Sequence, residues 1–340
     1  MATTRRGWLR ALAVAAATAL ISWPALVASA EPTVAFTIRD NRVTESSGLA
    51  RDTNAKLYWT VNDSGDEGTV YGVGTNGDVR GIVGFRAQPR DVEAVAMSRG
   101  RLYVGDIGDN TSKRDFVTVY WFDSPQPDNK TVPYRSYDFS YPDGPHDAET
   151  LLVDPTGRLY LVTKGITGGI YRAPAQPSRR GVNKLVRVAD APAFVTDGVF
   201  SPDGEQIVLR TYVSVSVLDA KTYQTVGLAA TPLQKQGESL AFTLDGKSLL
   251  IGSEGRNSSV LQIPKPSTVG DAPSASSKPP ATTQATPSAS SSASDPGGED
   301  DPADEDDGAQ ASRGGTILAL SLAGLVALVA GVVVAASKRT

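Results

Sequence analysis

Five short phrases carry the residues best suited to chemistry. They read Ser47-Gly48-Leu49-Ala50, Glu93-Ala94-Val95-Ala96, Glu149-Thr150-Leu151-Leu152, Asp197-Gly198-Val199-Phe200 and Glu238-Ser239-Leu240-Ala241. Each opens on an oxygen-bearing side chain, a carboxylate in four of the five, and runs on into small and apolar residues. Carboxylate and hydroxyl oxygens gathered at one point are ligands for a hard divalent cation, and calcium is the simplest choice. Without a cation or protons, like charges so gathered cannot all remain ionised. Ser47, Glu93, Glu149, Asp197 and Glu238 are therefore read as a set of calcium ligands. A second reading of the same residues is that each hydrogen-bonds a neighbouring backbone and holds the units together.

The spacing says what positions them. The phrases recur roughly every 40 to 56 residues, the period of a propeller blade. Each is followed by a turn and an apolar strand such as Leu57-Tyr58-Trp59-Thr60-Val61 or Arg158-Leu159-Tyr160-Leu161-Val162. Strand-like runs bounded by Gly, Pro, Asn and Asp fill the rest, and no stretch keeps a helical period. The fold class is all-β, a five-bladed β-propeller over residues 31–265, whose first strand in each blade lines a central channel. Blade two shows four strands at 93–97, 102–104, 117–122 and 137–141. The last repeat supplies only three, so residues 34–38 are expected to complete it and close the ring.

Continuing each second strand leads to a channel mouth bearing Asp63, Asp66, Asp106, Asp109, Asn110, Lys164, Arg210 and Glu254. Lys164 and Arg210 would meet an anionic ligand there. A hydrolytic reading assigns catalytic work to Asp63, Asp106, Lys164 and Arg210. Tyr103, Tyr141, Tyr160 and Tyr212 are possible stacking surfaces, most of them strand packing. Glu45, Asp91 and Asp147 lie two residues before the phrases, and strand alternation places them on the same face as their ring partners, as a second cation site or a support for the first. Other chemistry lacks its parts. The chain has no cysteine and one histidine, His146, too few for a zinc site of those ligands. No G-x-S-x-G and no phosphate-cradling G-x-x-x-x-G-K-[ST] occurs. A formal net charge of −4 without a basic stripe disfavours nucleic acid.

The five phrases resemble those of the calcium-activated nucleotidases, the animal apyrases. The resemblance rests on Glu45-Ser46-Ser47-Gly48-Leu49, Val92-Glu93-Ala94-Val95-Ala96, Ala148-Glu149-Thr150 and Gly237-Glu238-Ser239-Leu240-Ala241-Phe242. It implies a five-bladed propeller whose central calcium ion is held by one Ser or Glu from each innermost strand, with Asp197 standing where that family is expected to carry a serine. The loop Asn62-Asp63-Ser64-Gly65-Asp66-Glu67-Gly68 departs from that family, because the acid is kept and the phosphate-binding arginine is absent. The chain also looks like uncharacterised exported propeller proteins of high-G+C Gram-positive bacteria.

The two ends imply export and anchoring. Residues 1–30 combine a basic start, an apolar stretch and Ala28-Ser29-Ala30, the pattern of a signal peptide for either the general or the twin-arginine route. Residues 266–312 are rich in Pro, Ser and Ala and then acidic, a composition expected to form a disordered stalk. Residues 313–340 contain an uncharged run of about 21 residues before Lys338 and Arg339, long enough to span a bilayer with the tail inside. The expected protein is a monomeric propeller outside the cell membrane, tethered by one span. It would act as a calcium-bearing module for an envelope ligand or partner protein, or alternatively as a calcium-dependent phosphohydrolase.

Overall fold

The computed structural model describes residues 31–63 and 66–267. Among them are twenty-two β-strands and no helix. The expected signal peptide, most of the stalk and the anchor lie outside the described residues, within which no helix is long and apolar enough to cross a membrane.

Five sheets form five blades, each an antiparallel meander counted outward from the axis. Blade 1 runs through Ser46–Asp52, Leu57–Asn62, Thr69–Gly74 and Val79–Phe85. Blade 2 takes Val92–Ser98, Arg101–Asp106, Val117–Asp123 and Arg135–Ser140, within two residues of the strands read from sequence. Blade 3 takes Ala148–Val153, Leu159–Thr163, Gly168–Arg172 and Val186–Ala191, and blade 4 takes Val195–Phe200, Gln206–Thr211, Ser214–Asp219 and Thr225–Ala230. Blade 5 has Ser239–Phe242, Ser248–Gly252 and Ser259–Pro264, and its outer strand is Thr33–Thr37 from the start of the domain. That strand pairs antiparallel with Ser259–Pro264, with Val34 opposite Leu261, so the ends of the ring are hydrogen-bonded to each other. The five innermost strands touch in cyclic order and return to the first, which makes them the channel wall.

Two short strands were not legible in the sequence. Lys130–Val132 adds in parallel to the outer strand of blade 1, and Val182–Lys184 adds in parallel to that of blade 2. Each belongs to the connection between the third and fourth strands of the following blade, so the chain reaches back and covers an edge that would otherwise be free to pair. Gly81 permits this closeness, since a Cβ there would lie 2.1 Å from the Pro127 carbonyl oxygen.

Strand alternation divides the apolar side chains between successive interfaces. Five buried clusters result, one between each pair of neighbouring blades. Trp59 is wholly buried between blades 1 and 2, and its indole Nε1 donates to Asp52 Oδ2 at 3.0 Å. Burial of a large apolar side chain of this kind contributes about 1.5–3 kcal/mol. This packing holds the axial polar groups in place.

Candidate functional site

The position that faces the axis can be counted from the core. In each inner strand one residue packs toward the preceding blade. In blades 1, 2, 3 and 5 these are Leu49, Val95, Leu151 and Leu240. In blade 4 it is Gly198, beside Thr150 and Leu152 of blade 3. Two residues upstream stand Ser47, Glu93, Glu149, Thr196 and Glu238. The strand ladders agree. Pairing steps over Glu93 between Val92 and Ala94, over Glu149 between Ala148 and Thr150, and over Thr196 between Val195 and Asp197. Such bulges re-aim a side chain at the rim of a sheet. The ring position of blade 4 is therefore Thr196, and the expectation for Asp197 is one residue out of register.

Asp197 has a different task. Its Oδ1 accepts from the Gly198 amide at 2.7 Å and its Oδ2 from the Leu240 amide at 2.5 Å, which fastens blade 4 to blade 5. Burial pushes its carboxyl up to about 8, against those amides. The hydroxyls of the ring work similarly: Ser47 Oγ donates to the Glu93 carbonyl at 2.6 Å and Thr196 Oγ1 to the Gly237 carbonyl at 2.7 Å. For Asp197 and for these hydroxyls, the backbone-bonding reading describes what the structure shows.

The three ring glutamates differ. Glu93, Glu149 and Glu238 are each at most 4% exposed. Just past the second strands, the backbone amides of Asp63, Lys164 and Glu254 bond the carbonyls of Glu45, Asp147 and Gln236, which carries their side chains to the same end of the channel. There Asp63, Asp91 and Glu93 offer carboxylate oxygens within 4.8 Å of one another. Gly108 leaves room for them, because a Cβ at that position would lie 2.5 Å from Asp91 Cγ and 2.8 Å from Glu93 Oε1. Burial, followed by the charges of Glu149, Asp63 and Asp91, pushes Glu93 up to about 11. Burial and then Asp91 raise Asp63 to about 7, and burial and then Asp147 raise Asp91. Glu254 is raised to about 9 by burial and by the charge and hydrogen bond of Glu238.

Across the ring, Lys164 Nζ bonds Glu149 Oε1 and sits 5.3 Å from the centre of the Tyr212 ring. Burial works against the Lys164 charge, yet Glu149 holds its ammonium above the usual lysine range. Tyr212 OH donates to Glu238 Oε1 at 3.1 Å. Glu149 Oε2 is buried with no hydrogen-bond partner among the described residues. Burial raises the Glu149 carboxyl although Lys164 opposes it.

The remaining expectations for the mouth divide. Of the four catalytic candidates, Asp63 and Lys164 stand at the acidic end. Arg210 does not: it is fully buried, with Nη1 donating to the Ser239 and Gly252 carbonyls at 2.7 and 2.6 Å and Nη2 to Gln234 Oε1 at 2.5 Å. Strand alternation turns it inward, and burial lowers its guanidinium to about 10. Asp106 is buried against Arg114 Nη1 at 2.8 Å and also accepts the Asp91 amide. Asp66 accepts from Asn62 and Tyr71, and Asp109 from the Lys113 and Arg114 amides, so both brace their own loops. Tyr103 and Tyr160 belong to core clusters, and Tyr141 packs against one. Sequence reading missed Thr196 because the acid and the apolar residue two positions later, Val199, both align the repeat on Asp197, whereas the residue that packs against blade 3 is Gly198.

The other end of the channel contrasts with this one. A cavity of about 480 Å³ lies among the downstream halves of the inner strands, bordered by Ala50, Met97, Val153, Phe200 and Phe242. Asp52 at its edge is spent on Trp59 and on the amides of Asn54 and Ala55.

No protein family matches the chain, and no curated protein matches it. The likeness to calcium-activated nucleotidases thus rests on the motifs alone. Among solved structures it is similar to a gluconolactonase of Xanthomonas campestris described as important in glucose secondary metabolic pathways. Identity is 14%, the TM-score 0.43, and the match covers 72% of this chain and 94% of that one. A likeness this distant transfers neither substrate nor site residue. The described residues form an all-β, five-bladed propeller with a partly buried acidic cluster at one end of its axis.

Proposed function

We propose that this protein is a membrane-tethered, cell-surface binding module whose propeller carries a divalent cation, calcium, at the acidic end of its axis and presents that end to an envelope ligand or partner protein. The observation that carries the reading is the convergence of Asp63, Asp91 and Glu93, three carboxylates in a largely buried setting with oxygens within 4.8 Å of one another. An all-oxygen donor set suits a hard cation. The unpartnered Oε2 of Glu149 fits the same demand, since a buried carboxylate oxygen normally has a partner. Asp63, Asp91 and Glu93 would hold the ion, with Glu149 and Glu238 beside them, and the ion would supply the positive charge that keeps these groups ionised.

A phosphohydrolase gains less support from the same geometry. Arg210 is bound to backbone carbonyls and Lys164 to Glu149, so no free cationic side chain is offered to a phosphate from these candidates. Phosphate release from nucleotides, dependent on calcium and abolished by Asp63→Asn, would favour the enzyme instead.

Thermal unfolding of the full chain with calcium and with chelator, at matched ionic strength, tests the main reading. A ligand bound only by the folded state stabilises it by about 2.7 kcal/mol at a hundredfold excess over Kd. The midpoint should rise by several degrees with calcium, and the rise should vanish in Glu93→Gln. An unchanged midpoint, with no metal retained on purification, would overturn it.

A further inference from the structure

Lys164 is a cationic side chain that the structure places inside the acidic end. Its ammonium bonds Glu149 Oε1, lies over Tyr212, and also acts favourably on Asp63, Glu93 and Asp147. It therefore acts on two of the carboxylates that the proposed divalent ion would use, Asp63 and Glu93, from its seat on their neighbour Glu149. A second positive charge acting on those carboxylates is repelled by that ion, the more so in a water-poor site.

The side chain also has somewhere to go. The turn after the second strand is the rim of this face, and its length varies from ten residues in blade 2 to four in blade 3 and two in blade 4. The rim is therefore shortest beside Lys164, at Tyr212 and Val213. Lys164 itself opens the four-residue turn of blade 3, which carries Ile166 at 80% exposure, and its own side chain is 20% exposed. A rotation of its flexible stem toward that low rim would carry the ammonium to solvent while its backbone amide stays on the Asp147 carbonyl.

We infer that Lys164 is a built-in competitor of the divalent cation, a tethered ammonium that neutralises Glu149 and its neighbours and must withdraw toward the blade 4 rim when the ion binds. Lys164 then sets the cation affinity of the site and ties occupancy to a movement on the outer face, where a partner would detect it. This inference rests on the axial cation reading above.

Calcium titration calorimetry on the full chain and on Lys164→Met and Lys164→Arg tests it, with thermal unfolding in calcium and in chelator as the second readout. Lys164→Met should bind calcium at least tenfold more tightly and show a larger calcium-induced rise in midpoint, while Lys164→Arg, which keeps the charge, stays within about threefold of the parent. Binding in Lys164→Met alone supports the inference most strongly. Equal binding by parent and Lys164→Met, or weaker binding by Lys164→Met, overturns the competitor role and leaves the cation site standing. No binding by any of the three overturns both. Should Lys164→Met fail to fold, Lys164→Gln carries the same expectations.

Discussion

Blades 1 and 2 bring Asp63, Asp91 and Glu93 together, and no ion pair among the described residues reaches any of the three, whereas blade 3 sets Lys164 against Glu149 and blade 4 places Arg210 opposite Asp197 across its ladder. Glu93 and Glu149 occupy the same inner-strand position of the same repeat. On the compensated side most polar groups are consumed by contacts within the protein, Oε2 of Glu149 excepted: Arg210 bonds three acceptors, Asp197 two amides and Thr196 a carbonyl. On the uncompensated side burial and mutual repulsion raise the carboxyls, which is the condition under which an external cation is favoured. One half of the ring is therefore a structural clasp and the other half a site.

The largest expected effect breaks the clasp. Arg210→Ala removes a buried guanidinium, leaves the Ser239 and Gly252 carbonyls unpaired and opens a cavity, so a loss of about 3–5 kcal/mol in denaturant unfolding is expected. A loss under 1 kcal/mol would mean that Arg210 is not what joins blades 4 and 5. Next, neutralising one acid on each side should give unequal results in chelator. Glu149→Gln strands Lys164 and should cost about 1–3 kcal/mol, whereas Glu93→Gln replaces a carboxyl that burial and its acidic neighbours hold protonated and that no ion pair reaches, and should leave stability within about 1 kcal/mol of the parent. Equal losses would erase the asymmetry between the two sides.

A finer comparison sets Thr196→Val against Asp197→Asn. Each loses a hydrogen bond worth about 1 kcal/mol. Calcium affinity, read by calorimetry, should be unchanged in both, because each side chain is spent on backbone groups; a fall in either would bring that residue into the ion's ligand set. A pH slope reads the same acids without mutation. Asp63, Glu254 and Glu93 have folded-state values raised to about 7, 9 and 11, so the folded chain binds more protons than the unfolded one above about pH 4. Their contribution to stability is full below the unfolded carboxyl range and is lost as pH rises through the folded values. In chelator the unfolding free energy should therefore decline from pH 5 toward pH 9, by less than about 1.4 kcal/mol per pH unit for each proton involved, and the midpoint with it. Calcium should flatten the slope, and a midpoint that rises over this range would contradict the raised values.

The architecture was legible because it is written in local patterns. Period-two apolar runs, turn residues and the recurrence of one phrase determine strands, blades and their number, and the missing fourth strand of the last repeat points to residues 34–38. The acids Glu93, Glu149 and Glu238 were equally legible, since an acid at a repeated place in a repeated strand is carried round to the axis. Tertiary structure alone decided between Thr196 and Asp197, because a slip of one residue turns a strand side chain to the opposite face and only packing against blade 3 sets the register. It also decided that Arg210 turns inward to carbonyls and that Lys164 meets Glu149 while Glu93 meets further acids. Those outcomes depend on distances between side chains from different blades, and local pattern fixes which residues reach the axis without fixing which charges become neighbours there.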